Sequence, residues 1–153
     1  MRRLALAFVA LAACSNEKQL AQVHARYEPP NGFELTGEVA GPPARASFRP
    51  GLTLTRYTTD LPPGASEDAV AAALPKLADL GGGWDVASAR AGTLPVGPVF
   101  RVELRRYDGV RALHYVVPRA RGFLLLSFSA PEATYGPLEA RVERSLNSLK
   151  ADP

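Results

Sequence analysis

The chemistry open to this chain rests on few side chains. There is one cysteine, Cys14, and there are two histidines, His24 and His114. Disulfides within the chain are therefore impossible, and a cysteine–histidine metal centre lacks ligands, so no metal and no cofactor is expected. One constellation could be catalytic: Ser127 as nucleophile, His114 as base and Glu103 as the group orienting the base. These three would have to share one side of whatever element carries them. The remaining concentration of function-bearing side chains is basic: Arg101, Arg105, Arg106, Arg111, Arg119 and Arg121 fall within 21 residues. Of these, Arg105, Arg106 and Arg111 flank one Asp-Gly pair and form a candidate binding patch for anionic headgroups or an acidic partner.

The elements that must position them read as strands. Val99 to Tyr107, Val110 to Val117 and Phe123 to Ser129 form a meander, broken at Asp108-Gly109 and at Arg119 to Gly122. Asp-Gly between alternating segments signals a two-residue hairpin turn. Residues whose numbers sum to 217 then face each other, which sets His114 between Glu103 and Ser127 and Arg106 opposite Arg111. One sheet face would carry Phe100, Val102 and Leu104, then Leu113, Tyr115 and Val117, then Leu124, Leu126 and Phe128, ready to receive an amphipathic helix. The other face is mixed and only partly covered. Ser127 lies mid-strand, however, where neighbouring amides are committed to the ladder, whereas an oxyanion hole needs free donors at a turn. A plain cross-strand polar row accounts for the same residues.

Ahead of the meander, Phe33 to Leu35, Ala44 to Phe48 and Leu52 to Thr58 read as strands, punctuated by Gly41-Pro42-Pro43 and Pro50-Gly51. A helix follows Pro62-Pro63-Gly64. Ser66 caps it, Glu67 and Asp68 suit its positive end, and Val70, Ala73, Leu74, Leu77 and Leu80 make its apolar stripe. Pro75 is expected to kink or divide this helix. Gly81-Gly82-Gly83 follows a helix rather than preceding one, so it reads as a stop and not as a phosphate cradle. Trp84 to Ala89 is a strand, and Gly92 to Pro98 a loop. After Ala130-Pro131-Glu132, Leu138, Val142, Leu146 and Leu149 recur at helical spacing, with Glu139, Arg141, Glu143 and Arg144 directed away.

The amino terminus supplies an address. Arg2 and Arg3 precede ten apolar residues, Leu4 to Ala13, and the run stops at Cys14. Positive, short-apolar and small residues in that order are the anatomy of a secretory signal, and the run is half of the roughly 20 residues a spanning helix needs. Leu11-Ala12-Ala13-Cys14 resembles the lipobox of bacterial lipoproteins. The resemblance implies that residues 1–13 are a signal peptide, that Cys14 is lipidated, and that the membrane is one partner. Ser15 in place of aspartate would favour an outer membrane. Residues 14–31 then read as the lipidated cysteine and a flexible tether ending in Pro29-Pro30-Asn31-Gly32, and residues 32–150 as a single domain. The formal charge of +3 includes Arg2 and Arg3, so about +1 remains after cleavage, which argues against nucleic acid.

The element order (strands, helix, long antiparallel meander, terminal helix) resembles the α/β/α sandwich of the PsbP family, shared with Ran-binding Mog proteins. The local likeness is strongest from Gly122-Phe123-Leu124-Leu125-Leu126-Ser127-Phe128-Ser129-Ala130-Pro131-Glu132 to the closing Ser145-Leu146-Asn147-Ser148-Leu149. It implies an α+β class, with an antiparallel sheet between two helical segments, and a binding or assembly role for an envelope protein, without naming the partner. Two other functions stay open at this point: a small hydrolase using Ser127, His114 and Glu103, and a carrier holding an apolar ligand between helix and sheet.

Overall fold

The computed structural model describes residues 16–153. The expected signal peptide and Cys14 lie outside the described residues. Two short strands come first, β1 (Lys18–Leu20) and β2 (Ala25–Tyr27), followed by β3 (Glu34–Val39), β4 (Ala44–Arg49) and β5 (Leu52–Tyr57). The helix α1 (Glu67–Leu77) precedes four long strands, β6 (Trp84–Leu94), β7 (Gly97–Arg106), β8 (Val110–Pro118) and β9 (Phe123–Pro131). The chain closes with α2 (Glu132–Ser145), a 3-10 turn at Leu146–Ser148 and β10 (Lys150–Ala151).

Seven strands form one antiparallel sheet in the order β3-β4-β5-β9-β8-β7-β6, and β1-β2-β10 form a second, small one. The strand alternation predicts two sides, and each finds a helix. α1 lays Val70, Ala71 and Leu74 over Val102, Leu104, Ala112, Val116 and Leu125. α2 lays Tyr135 and Val142 over Leu113, Tyr115, Val117, Leu124, Leu126 and Phe128 on the opposite side. The class is α+β, in helix–sheet–helix layers.

Ser66 caps α1 as the sequence predicts, accepting from the Ala69 amide at 3.2 Å. Pro75 does not divide the helix. It stands in the last turn, two residues before the end at Leu77, where few backbone bonds remain to be lost. The expected loop at Gly92 to Pro98 is instead strand: Thr93 pairs with Pro98 and Leu94 with Gly97 around a two-residue turn at Pro95-Val96.

Two further expectations are corrected. First, residues 18–31 are not a tether but part of the domain. Leu20, Val23 and Tyr27 are fully buried in one cluster with Leu146 and Leu149. The Tyr27 ring meets Phe48 edge-on at 5.7 Å, and its hydroxyl sits 2.5 Å from Ser145 Oγ. Strands of three residues show no readable alternation, and their partner β10 lies at the far end of the chain, so no local signal marks them.

Second, the β7–β8 register is shifted by one. Tyr107-Asp108-Gly109 form a three-residue loop, with the Gly109 amide donating to Arg106 O at 3.0 Å. Gly109 takes φ of +83°, the left-handed conformation that closes a type I turn with a bulge. Asp108 supports it, accepting from Arg106 at 2.9 and 2.8 Å. Arg105 therefore pairs with Arg111, Val102 with His114 and Glu103 with Leu113. A slip of one residue sends every β7 side chain to the other face.

Candidate functional site

The β8–β9 register holds as expected: His114 pairs with Ser127, and its Nδ1 lies 2.8 Å from Ser127 Oγ. Both face the α1 side, in a row with Ser47 and Thr53 contributed by β4 and β5. Glu103, shifted by the hairpin bulge, points to the α2 side, so the expected nucleophile–base–acid row is not assembled. His114 is 3% exposed, and its Nε2 has no hydrogen-bond partner. Burial alone pushes the imidazole down to about 4. Such a ring is neutral at ordinary pH and a weak base, poorly matched to activating a hydroxyl. Ser127 is itself held between paired strands on both sides.

The three candidate patch arginines do not form one patch. Arg106 lies on the α1 side, over the Trp84 ring at 4.9 Å, with its fork on Asp108. Arg105 and Arg111 are cross-strand neighbours on the α2 side. Arg111 is engaged by Glu132 at 3.4 Å and Glu103 at 3.8 Å and stacks over the Tyr135 ring at 4.2 Å. Arg105 alone of the three is exposed with its charge turned to solvent. A patch of three like charges is thus reduced to one exposed cation beside two that are paired.

The best-organised polar cluster escapes the sequence reading. Arg101, 8% exposed in the middle of β7, meets Glu143 at 2.6 Å, Glu139 at 2.6 Å and Glu103 at 2.8 Å. Tyr115 donates to Glu143 at 2.7 Å. Three carboxylates share one guanidinium, so like charges crowd together around it. Burial, then the hydrogen bond to Glu103, holds the Glu139 carboxyl above its usual range. Glu103 is lowered: burial opposes this, but hydrogen bonds from Glu139 and Arg101 prevail. The arrangement clamps α2 to the sheet. The signal for it was present, since Glu139 and Glu143 stand four apart on one helix face and Arg101 interrupts an apolar strand. Deciding that this face turns inward needed the β7 register.

The described residues also form a groove of about 580 Å³ at the end of α2, lined by Glu28, Pro29, Asn31, Arg141, Arg144 and Asn147 among others. Arg141 donates to Asn31 O across it, and Ser148 Oγ accepts from the Glu28 amide at 2.9 Å. The adjoining small sheet adds Lys18, Arg26 and Lys150, and Glu17 bridges Lys150 at 3.3 Å and Arg26 at 3.8 Å. This end of the molecule surrounds the start of β1 at Lys18.

Solved structures decide the architecture. The chain is similar to the solution structure of cyanobacterial PsbP (CyanoP) from Synechocystis sp. PCC 6803, with a TM-score of 0.58 over 89% of this chain and 91% of that one. The fold is PsbP-like. Sequence identity is 13%, so the likeness extends to the fold alone. No protein-family model matches the chain, and no curated protein matches it. None of the described helices is long and apolar enough to cross a membrane.

Proposed function

We propose that this chain is a lipid-anchored protein of the bacterial cell envelope, the outer membrane where there is one, that works as a non-catalytic binding or assembly accessory. The observation that carries the non-catalytic part is the face on which Glu103 lies. The nucleophile–base pair Ser127–His114 stands without an orienting acid, and its base is buried and held near 4. The anchor rests on Leu11-Ala12-Ala13-Cys14, where the thiol of Cys14 would receive the lipid. Two or three acyl chains hold a protein firmly at about 0.8 kcal/mol per buried methylene.

Metabolic labelling with a tagged fatty acid tests the anchor: the intact protein takes up label and Cys14→Ala does not, and label persisting on the variant refutes the assignment. Crosslinking in intact envelopes followed by capture of the protein identifies the partner. Hydrolysis of a generic ester by the purified protein, lost in Ser127→Ala, would replace the accessory role with a hydrolase.

A further inference from the structure

The loss of the tether changes what a lipid on Cys14 would do. An 18-residue flexible segment would let the domain tumble freely, but the chain is already held from Lys18 onward by pairing with β2 and by buried Leu20, and Glu17 next to it reaches Lys150 and Arg26. Three residue steps from Cys14 to Glu17 span at most about 10 Å at roughly 3.5 Å each. We propose that the corner built by β1, β2, β10 and the last turns of α2 lies against an anionic lipid surface, with the β7–β8 hairpin turned away from it. This rests on the proposed lipidation of Cys14.

The charges of the corner suit that occupant. Arg26 and Lys150 are exposed cross-strand neighbours, with side chains 53% and 59% accessible. Arg144 is exposed at the edge of the adjoining groove, with Arg141 half-buried beside it. Lys18 borders the same entry point. The acids Glu17, Glu28, Glu34 and Asp152 sit among these cations and leave only a small positive excess. Free in solution such an excess would bind lipid weakly. A leash of this length, however, holds the corner at a high effective concentration next to the headgroups, where each cation adds to the attraction. The hairpin is carried far from this corner. Glu132, the first residue of α2, donates its amide to Gly109 O in the hairpin, while Arg141 and Arg144 lie in the last turns. The 14 residues of α2 separate the two ends by about 21 Å at 1.5 Å per residue. Expected lipid contact is thus at the corner, and the surface left for an envelope partner is at the hairpin end.

The test uses the full lipidated chain in vesicles carrying a headgroup-attached nitroxide quencher, either of phosphatidylcholine alone or with phosphatidylglycerol added. Acylation of Cys14 removes its free thiol, so a single introduced cysteine takes a fluorophore uniquely. Asn147→Cys marks the corner and Tyr107→Cys, at a position 90% exposed, marks the hairpin. Quenching should be several-fold stronger at 147 than at 107. It should rise with phosphatidylglycerol, and that rise should be lost in Arg26→Glu with Lys150→Glu and shrink as salt increases. Fifteen Gly/Ser residues inserted between Ser15 and Asn16 should remove the difference in phosphatidylcholine vesicles. Equal quenching at the two positions, or stronger quenching at 107, in a protein whose intact mass shows the acyl groups overturns this orientation while leaving the anchor in place. An intact mass without acyl groups refutes the anchor itself.

Discussion

Acid should destabilise this protein through a buried ring, His114, by an amount that can be separated from the carboxylates. Its ring is neutral and nearly water-free in the folded state, with Nδ1 on Ser127 and Nε2 buried without a hydrogen-bond partner. Folded, it titrates at about 4; unfolded, it returns to the ordinary imidazole value of 6.5. The folded pKa is the lower one, so the unfolded chain binds the proton first. The contribution is complete above about pH 6.5 and is lost as pH falls toward 4. At pH 5 the unfolded ring is almost fully protonated and the folded ring is not, which costs about 2 kcal/mol relative to pH 7; by pH 4 the loss approaches 3 kcal/mol. Urea unfolding, followed by the fluorescence of the single tryptophan Trp84 beside the C-terminus of α1, measures it. Carboxylates add their own acid sensitivity: Asp108 is lowered by its hydrogen bond to Arg106, and Glu103, against burial, by hydrogen bonds from Glu139 and then Arg101. The diagnostic quantity is therefore the difference between the intact protein and His114→Leu at each pH. That variant should lose about 2 kcal/mol less than the intact protein between pH 7 and pH 5. Parallel pH profiles for the two proteins would show that the ring is hydrated or paired in solution, and would refute the buried, unpartnered Nε2.

Other substitutions test the packing. Leu126→Asp places a carboxylate at a fully buried position between Leu54 and Tyr115 and should unfold the domain, whereas exposed Arg121→Ala should shift stability by less than about 0.5 kcal/mol; thermal melts rank the two. At Gly122, φ is +68° and an added Cβ would lie 1.9 Å from Tyr57 O, so Gly122→Ala should cost at least about 2 kcal/mol in a urea titration, and a neutral result would show that the β8–β9 turn can move. Arg101→Leu leaves Glu103, Glu139 and Glu143 without their shared cation and should cost about 3 kcal/mol or more at pH 7, with the deficit shrinking at low pH as the carboxyls take up protons. An unchanged melting point for that variant would mean that the cluster does not hold α2.

The element types and much of the order were legible because they rest on local rules. Ser66 before Glu67 and Asp68, the apolar run Phe123 to Leu126 behind the turn glycine Gly122 and the helical spacing of Leu138 and Val142 each act within a few residues, and each gives the expected element. The Ser127–His114 contact was legible for the same reason, since the four-residue turn at Arg119 to Gly122 sets its register. Three matters needed the folded chain. Asp108-Gly109 is compatible with a two- or a three-residue loop, and the choice rests on the Arg106–Asp108 pair and the left-handed Gly109. That one-residue difference separates Glu103 from His114 and delivers it to Arg101. The inward turn of Glu139 and Glu143 followed, because a buried guanidinium on the facing strand reverses the usual preference of such side chains for water. The segment from Lys18 to Asn31 looked like linker because β1 and β2 are too short to carry a pattern. Their stability comes from β10 and from Leu146 and Leu149, more than a hundred residues away, and contacts of that range leave no mark on the local sequence.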